Sequence, residues 1–294
     1  MMKVAIYCQY YQNNEGSIAT LLDVLHSKKF DIHIETNFFN SLLPHFDFQN
    51  KFSFIKPFTL LNNSFDLLIS IGGDGTILRA ITHVKDLSIP IIGINTGRLG
   101  FLATIQPNKI ETSIQSIIDG DYKISERTLV SITTQPENKE LVELNFALNE
   151  IAISRKNTTS MITVVTHLNS EYLTSYWADG LIVSTPTGST GYSLSCGGPV
   201  ISPDTDSFVL TPIAPHNLSA RPLVIPDDTE IQLKVDGRED QFLISLDSRI
   251  ATLNNSTTVI IKKAPFQIKM IELTSESFID TLRKKLLWGE DKRN

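Results

Sequence analysis

The chain has 294 residues, 41% of them hydrophobic and 20% charged, with a formal net charge of -6. That length and balance describe a globular protein with room for two domains, and the negative balance gives no ground for nucleic-acid binding, which needs a basic face. No apolar run approaches transmembrane length, and the two cysteines, Cys8 and Cys196, form neither a metal set nor a disulfide framework.

A reducing, cytoplasmic setting is expected from that cysteine usage, and the apolar start of the chain is too short for a signal peptide. Lys3 to Cys8 reads as a first buried strand, with Gln9 to Gly16 as the polar loop at its carboxyl end. Ser17 is placed to cap a helix running to about Lys28, with Ile18, Leu21, Leu22 and Leu25 on one face. Phe30 to Thr36 is a second strand. Residues 37 to 63, rich in Phe and Asn, show no regular period and read as an irregular flap. Leu67 to Ile71 is a short, nearly continuous apolar run, the pattern of a strand covered on both faces. It ends in Gly72-Gly73-Asp74-Gly75-Thr76, followed by a helix-compatible stretch from Ile77 to Val84. Ile89 to Ile94 is another buried strand, closing in the glycine-bearing loop Asn95 to Leu102, and Pro107 to Ile118 reads as a helix. Strands alternating with helices argue a Rossmann-like open parallel sheet, whose ligands sit beyond the carboxyl ends of the strands. The loops Gln9 to Gly16, Gly72 to Thr76 and Asn95 to Gly100 then share one rim.

From about Tyr122 the pattern changes to β-branched residues and period-2 runs. Strands are expected at Leu129 to Thr134, Leu144 to Ser154, Met161 to Leu168, Leu181 to Ser184, Phe208 to Ile213, Glu230 to Val235, Phe242 to Leu246 and Thr257 to Lys262. Turn signals such as Asp236-Gly237 and Asn254-Asn255 separate them. The fold class is therefore α/β followed by all-β. The expected limits are residues 1–122, 123–269 and 270–294. The last segment holds an amphipathic helix, Ser275 to Trp288, with Phe278, Ile279, Leu282, Leu286 and Leu287 at helical spacing, expected to return to the first domain.

Three constellations carry chemistry. The first is Gly72 to Thr76, where strand, glycine turn and helix make a phosphate site from close-approaching backbone and free amides. Asp74 is the odd member, because a carboxylate repels phosphate. It makes sense if it handles a hydroxyl proton or a metal ion; the plain structural reading is an Asp that caps the helix. The second is Asn149-Glu150, a polar pair inside a strand-like run. Buried, it needs partners; it offers an amide and a carboxylate to ribose hydroxyls or a base edge, or else faces water at a strand edge. The third runs from Asp179 to Pro199, with Thr, Ser and Gly dominating Thr185 to Gly191. It suits close approach and neutral hydrogen bonds to phosphate or sugar. It is not a Walker loop, since no Lys follows the last glycine. No His motif adjoins its serines, so nucleophilic hydrolysis is unsupported, and His216 reads as structural.

Gly-Gly-Asp-Gly-Thr on an α/β rim, then Asn-Glu, then Asp-Gly with Thr-Pro-Thr-Gly-Ser-Thr-Gly-Tyr-Ser-Leu-Ser, and then Pro212 to Leu223, together resemble the NAD kinase family over nearly the whole chain. Gly-Gly-Asp-Gly alone is shared with diacylglycerol, sphingosine and 6-phosphofructo kinases, and the long second loop makes the resemblance specific. It implies transfer of the γ-phosphate of ATP, or of polyphosphate, to the 2′-hydroxyl of NAD's adenosine ribose, giving NADP. Asp74 matches the family's proton acceptor, the catalytic residue. Gly72, Gly73, Gly75 and Thr76 would face the phosphate donor, with Mg²⁺ or another divalent cation offsetting its charge; no metal-ligand set is implied. The implied NAD-binding residues are Asp74, Gly75, Arg79, Asn149, Glu150, Asp179, Thr187, Thr190, Gly191, Tyr192, Ser193, Leu194, Ser195, Ala214 and Arg249. A homodimer or homotetramer through the β domain is implied as well. Gly191 and Cys196 stand where many relatives have Ala, and Trp177 where some carry a basic residue, which leaves open how the dinucleotide's phosphates are neutralised. The alternatives are a lipid kinase of the same superfamily, which needs an apolar cleft or basic membrane face that the sequence does not show, and a silent NAD-binding regulator, which has no need of Asp74.

Overall fold

The computed structural model describes residues 1–9, 14–47, 50–157, 160–217 and 219–287. The chain divides into two units, Met1–Glu126 together with the segment from Ile268 onward, and Arg127–Gln267.

The first unit is built on a seven-stranded sheet. Its strands are β1 (Lys3–Cys8), β2 (Asp31–Glu35), β3 (Lys56–Phe58), β4 (Leu67–Ile71), β5 (Ile91–Ile94), β6 (Tyr122–Arg127) and the late strand Ile268–Leu273. The order is β3-β2-β1-β4-β5, then Ile268–Leu273, then β6 at the edge. The pairings from β3 through to Ile268–Leu273 are all parallel. Helices α1 (Glu15–Ser27), α2 (Thr36–Leu42), α3 (Asp74–Val84) and α4 (Ile110–Asp119) belong to this unit. Leu67, Ile69 and Ile71 of β4 share one apolar cluster with Leu21, Leu22 and Leu25 of α1 and Ile110, Ile114 and Ile117 of α4. α3 packs on β4 as well, and all five residues of the strand are buried. This burial is why β4 shows no polar alternation. The chain runs outward from β1 to β3 and returns to β4 on the other side of β1, so β1 and β4 flank the point where strand order reverses. Ligands of open α/β sheets bind at such a point, beyond the carboxyl ends of the strands.

Two local expectations in this unit differ from the structure. α1 starts at Glu15 with Asn14 at its N-cap, so Ser17 lies inside the first turn. Residues 37–63 are not simply irregular: α2 is capped by the Glu35 carboxylate, which accepts the Phe38 amide at 3.0 Å, and β3 adds an edge strand. Phe38, Leu42, Phe52 and Ile55 are buried in the main cluster, so burial and a cap fix these parts of the segment without any long period. Tyr10 to Asn13 of the first loop, and Trp288, lie outside the described residues.

The second unit contains β7 (Val130–Gln135), α5 (Lys139–Val142), β8 (Phe146–Ala147), β9 (Glu150–Arg155), β10 (Ile162–Leu168), β11 (Glu171–Ala178), β12 (Gly180–Ser184), α6 (Tyr192–Ser195), β13 (Ser207–Ile213), β14 (Leu223–Pro226), β15 (Ile231–Gly237), β16 (Gln241–Leu246), β17 (Arg249–Asn254) and β18 (Thr258–Lys263). They form two six-stranded sheets, β11-β10-β15-β18-β7-β8 and β14-β13-β12-β9-β16-β17, with antiparallel neighbours. Val164, Leu233, Val259 and Ile261 of one sheet join Ile153, Leu181, Val183, Phe208, Phe242 and Ile244 of the other in a single core. Truncating a fully buried Phe such as Phe208 to Ala is expected to remove about 3–5 kcal/mol of stability. Leu144 to Ser154 is not one strand. It breaks at Leu148-Asn149, between β8 and β9.

After Ile268–Leu273 comes the terminal helix α7 (Phe278–Leu286), part of the first unit as expected. Ser277 caps it, accepting the Asp280 amide at 3.0 Å. Thr281 and Leu282 are its buried residues.

Candidate active site

At the carboxyl end of β4 the backbone turns at Gly72, whose φ of +146° is closed to most side chains. A Cβ there would lie 2.2 Å from the Thr76 hydroxyl oxygen. Thr76 is buried, and its amide donates to Gly73 O at 2.9 Å. Gly73 is the N-cap of α3, and Asp74 is the helix's first residue. The amides of a helix's first turn have no partner within the helix and point outward along its axis. Gly73 and Gly75 are exposed beside open space, so a ligand can come close to the backbone.

Asp74 does not cap α3. Its carboxylate crosses to the loop after β5. Oδ2 accepts the Phe101 amide at 2.8 Å, and Oδ1 accepts the Leu102 and Ala103 amides at 3.0 Å each. A carboxylate has about four lone-pair sites, so three are engaged and one on Oδ2 is left for a hydroxyl. Gly100 makes this approach possible. A Cβ at that position would stand 1.9 Å from Asp74 Oδ1. The loop is also held from within by the buried Asn95, whose amide donates to Arg98 O at 2.7 Å and Ala103 O at 3.1 Å, while its Oδ1 accepts the Gly97 amide at 2.8 Å.

The second unit carries its own constellation around Asn149 and Glu150. Asp247, in the turn between β16 and β17, is left-handed at φ 52°. Its carboxylate accepts the amides of Leu148, Asn149 and Glu150 at 3.0, 2.8 and 3.3 Å. The Asp247 amide returns a bond to Glu150 O at 3.0 Å. This buried carboxylate is what breaks the run into β8 and β9. Thr185 donates from its hydroxyl to Leu148 O at 2.5 Å and from its amide to Asn149 O at 2.9 Å. The loop then folds through a 3-10 turn at Thr187–Thr190 into α6. A Cβ on Gly191 would lie 3.3 Å from Glu150 Oε2 and 3.6 Å from Asn149 Nδ2. Asn149, Glu150, Gly191 and Tyr192 are thereby brought together.

Glu150 is only 8% exposed, and its Oε2 has no hydrogen-bond partner among the described residues. Burial, and then the charge of Asp247, pushes its carboxyl up to about 8, against a bond from the Tyr192 backbone. At neutral pH it is a protonated acid, able both to donate and to accept. Burial pushes Asp247 up too, opposed by its three amides and by Arg249.

The model of the ATP-NAD kinase N-terminal domain matches residues 30–122, and that of the ATP-NAD kinase C-terminal domain matches residues 148–273. The chain belongs to the NAD kinase family. A curated NAD kinase of Flavobacterium johnsoniae is 58% identical over 294 residues, covering 100% of both chains. Another, from Bacteroides fragilis, is 42% identical over 293 residues, covering 99% of this chain and 100% of its own. Among solved structures, yeast NADH kinase complexed with NADH has the same fold, with a TM-score of 0.86 at 24% identity over 99% of this chain and 89% of that one. An Archaeoglobus fulgidus NAD kinase in complex with ATP reaches 0.76 at 24% identity over 97% and 99%.

The remaining residues implied by the NAD kinase resemblance are disposed differently from one another. Tyr192 and Ser195 are exposed and Leu194 half-buried, whereas Ser193 turns its hydroxyl inward to Thr211 Oγ1 at 2.8 Å and Thr187 is buried. Thr190 donates to Thr187 O at 3.2 Å. Asp179, between β11 and β12, pairs with Arg155 at 3.0 Å, and burial raises the Tyr192 hydroxyl's pKa, with Cys196, Asp179 and Glu150 adding to it. Ala214, at the end of β13, is exposed and left-handed at φ 43°, an uncommon state for a residue with a Cβ. Beside it the His216 amide bonds Trp177 O at 2.8 Å, and the two rings lie 4.6 Å apart.

Arg79 is exposed on α3. Arg249 is differently disposed. One terminal nitrogen donates to Leu144 O at 2.6 Å and the other to Phe146 O, with the guanidinium 5.4 Å from the Phe146 ring. Those bonds tie β17 to β8 and turn the group toward the chain. Asp247 is a candidate site residue outside the three constellations read from the sequence; it lies in an Asp-Ser turn between two alternating runs.

Among the described residues, no three His, Cys, Asp or Glu side chains converge on a metal-sized site. Mg²⁺ is usually held by one or two carboxylates and substrate phosphates, without an all-protein cage. A phosphate turn without a carboxylate cluster fits a cation carried on the substrate's phosphates.

Proposed function

We propose that the protein transfers a phosphoryl group from ATP or polyphosphate to the 2′-hydroxyl of the adenosine ribose of NAD, giving NADP. The observation that carries this reading is the Asp74 carboxylate, fixed by three amides on the carboxyl rim of the parallel sheet, with an acceptor site left on Oδ2. Asp74 takes the 2′-hydroxyl proton as the oxygen attacks the γ-phosphorus. The bond from that phosphorus to the bridging oxygen breaks, ADP leaves, and the proton passes to solvent. General-base help of this kind is worth about 10²–10⁴-fold, and phosphoryl transfer depends otherwise on positioning and charge.

The Gly72–Gly75 turn offers its amides to the donor's phosphates. A divalent cation, held by the donor's own phosphates, would supply neutralisation of phosphate charge. Asn149 and the protonated Glu150 offer paired donors and acceptors to hydroxyls or a base edge, and the exposed Tyr192 ring offers a stacking face. Asp179 and the Thr187–Ser195 loop complete the proposed NAD set, Ser193 and Thr187 as its inner scaffold. Arg249 is left out of it, because its guanidinium already serves two carbonyls. The family resemblance supports assembly as a homodimer or homotetramer and a cytoplasmic setting; among the described residues no helix is long and apolar enough to cross a membrane.

The test is a coupled assay. The purified protein is incubated with Mg²⁺, NAD and either ATP or polyphosphate, and NADP is read with an NADP-specific dehydrogenase. NADP formation is the expected result. Binding of NAD without NADP from either donor would contradict the proposal and favour a silent binder.

A further inference from the structure

The loop that presents amides to Asp74 is gripped on its outer side by the far end of the chain. Lys285 Nζ donates to Leu99 O at 2.6 Å and stands 5.2 Å from the centre of the Phe101 ring. The Phe278 ring lies 6.3 Å from the same ring. Phe278 and Lys285 are seven residues, two helical turns, apart, so they present the same face of α7. Leu99 and Phe101 flank Gly100, the position where a Cβ would collide with the Asp74 carboxylate. The Phe101 amide is the one that holds Oδ2. α7 is itself anchored by the buried Thr281 and Leu282 and follows the strand Ile268–Leu273, which lies next to β5 in the sheet. Chain topology thus delivers this helix to the loop that leaves β5.

We propose that Lys285 and Phe278 are positioning residues for Asp74, holding Leu99 and Phe101 so that the amides of residues 101–103 stay aimed at its carboxylate. Asn95 fixes the loop from inside and α7 fixes it from outside. Neither Lys285 nor Phe278 is a catalytic residue, since each acts through the loop. The inference rests on the reading of Asp74 as the base.

The test measures kcat, KM for NAD and the thermal midpoint of Lys285→Ala, Lys285→Arg, Phe278→Leu and Phe278→Ala. Small displacements of a reacting group lower rates by up to about 10²-fold, so Lys285→Ala and Phe278→Ala should each lose about tenfold or more in kcat. KM for NAD should change by less than about twofold, the mark of an interaction that acts on the chemical step. Lys285→Arg keeps a charged donor and should recover most of the loss, and Phe278→Leu should fall between wild type and Phe278→Ala.

The same Lys285→Ala change is then made in an Asp74→Asn background. With no base left to misplace, it should lower the residual rate by less than about twofold, since residues acting as a unit are not additive. An unchanged kcat in folded Lys285→Ala, or an equal loss in both backgrounds, overturns the proposal. Near-normal turnover in Asp74→Asn itself overturns the base reading. A silent Lys285→Ala beside an inactive Asp74→Asn overturns only the grip.

Discussion

Gly100→Ala probes how Asp74 is held without touching any group that meets substrate. The added methyl would lie 1.9 Å from Asp74 Oδ1, 2.6 Å from its Cγ and 2.9 Å from Oδ2. Contacts that short are not tolerated, so either the carboxylate swings away or the loop retreats. Both motions break at least one of the three amide bonds to Asp74. A hydrogen bond to a charged group is worth about 1.5–3 kcal/mol. At 1.36 kcal/mol per decade of rate, losing one such restraint on the base corresponds to about a ten- to hundredfold fall in kcat. Steady-state kinetics with NAD and donor varied separately, beside a thermal melt, separates this from unfolding. The fall should appear in kcat, with KM for NAD nearly unchanged. A folded Gly100→Ala enzyme with kcat within about twofold of wild type would refute the view that the three amides set the base.

Asp247→Asn keeps shape but sets an NH₂ group against backbone amides that need an acceptor. An unsatisfied buried donor costs about 1–3 kcal/mol, so stability should fall by that order and KM for NAD should rise; unchanged KM would show that Asn149 and Glu150 hold their geometry without it. Glu150→Ala should also raise KM for NAD, which steady-state kinetics reads directly. Glu150 further predicts a pH dependence. Its carboxyl is raised from 4.5 to about 8, so the folded state binds this proton more tightly than the unfolded state. Its contribution is fully present below about pH 4.5 and is lost as pH rises through about 8. Thermal midpoints should therefore decline more between pH 5 and pH 8 in wild type than in Glu150→Gln; parallel curves would contradict a protonated Glu150. Asp247, shifted the same way, keeps some slope in the variant.

Periodic burial made most of the fold legible in the sequence. β4, fully covered, is plain as an apolar run broken only by Ser70, and the inward positions of β10, β15 and β18 alternate as expected. The strands that the pattern does not announce are mostly edges. β3 and β6 close the first sheet, and β11, β14 and β17 lie at edges of the other two. An edge strand has one neighbour and less burial, so its sequence carries a weaker apolar period. Ile268–Leu273 is an inner strand that escaped for another reason: it belongs to the first sheet but follows the β domain in sequence. At the candidate site, the glycine turn, Asn149-Glu150 and the Thr/Ser/Gly loop stand out in the sequence because backbone approach and neutral hydrogen bonding restrict residue types. Asp247 and Gly100 were not, because what they do depends on partners 97 and more residues away, or on a carboxylate 26 positions earlier. Arg249 shows the reverse: a cation at a promising position whose guanidinium the fold directs onto its own carbonyls.

The central claim is that Asp74 is the base in a phosphoryl transfer to NAD. The most direct measurement compares wild type and Asp74→Asn in the coupled NADP assay, with the NAD dissociation constant determined for both by calorimetry. The account predicts a fall in kcat of about 10²-fold or more, with NAD affinity within about an order of magnitude. Near-normal turnover in Asp74→Asn would contradict it, however well the variant binds NAD.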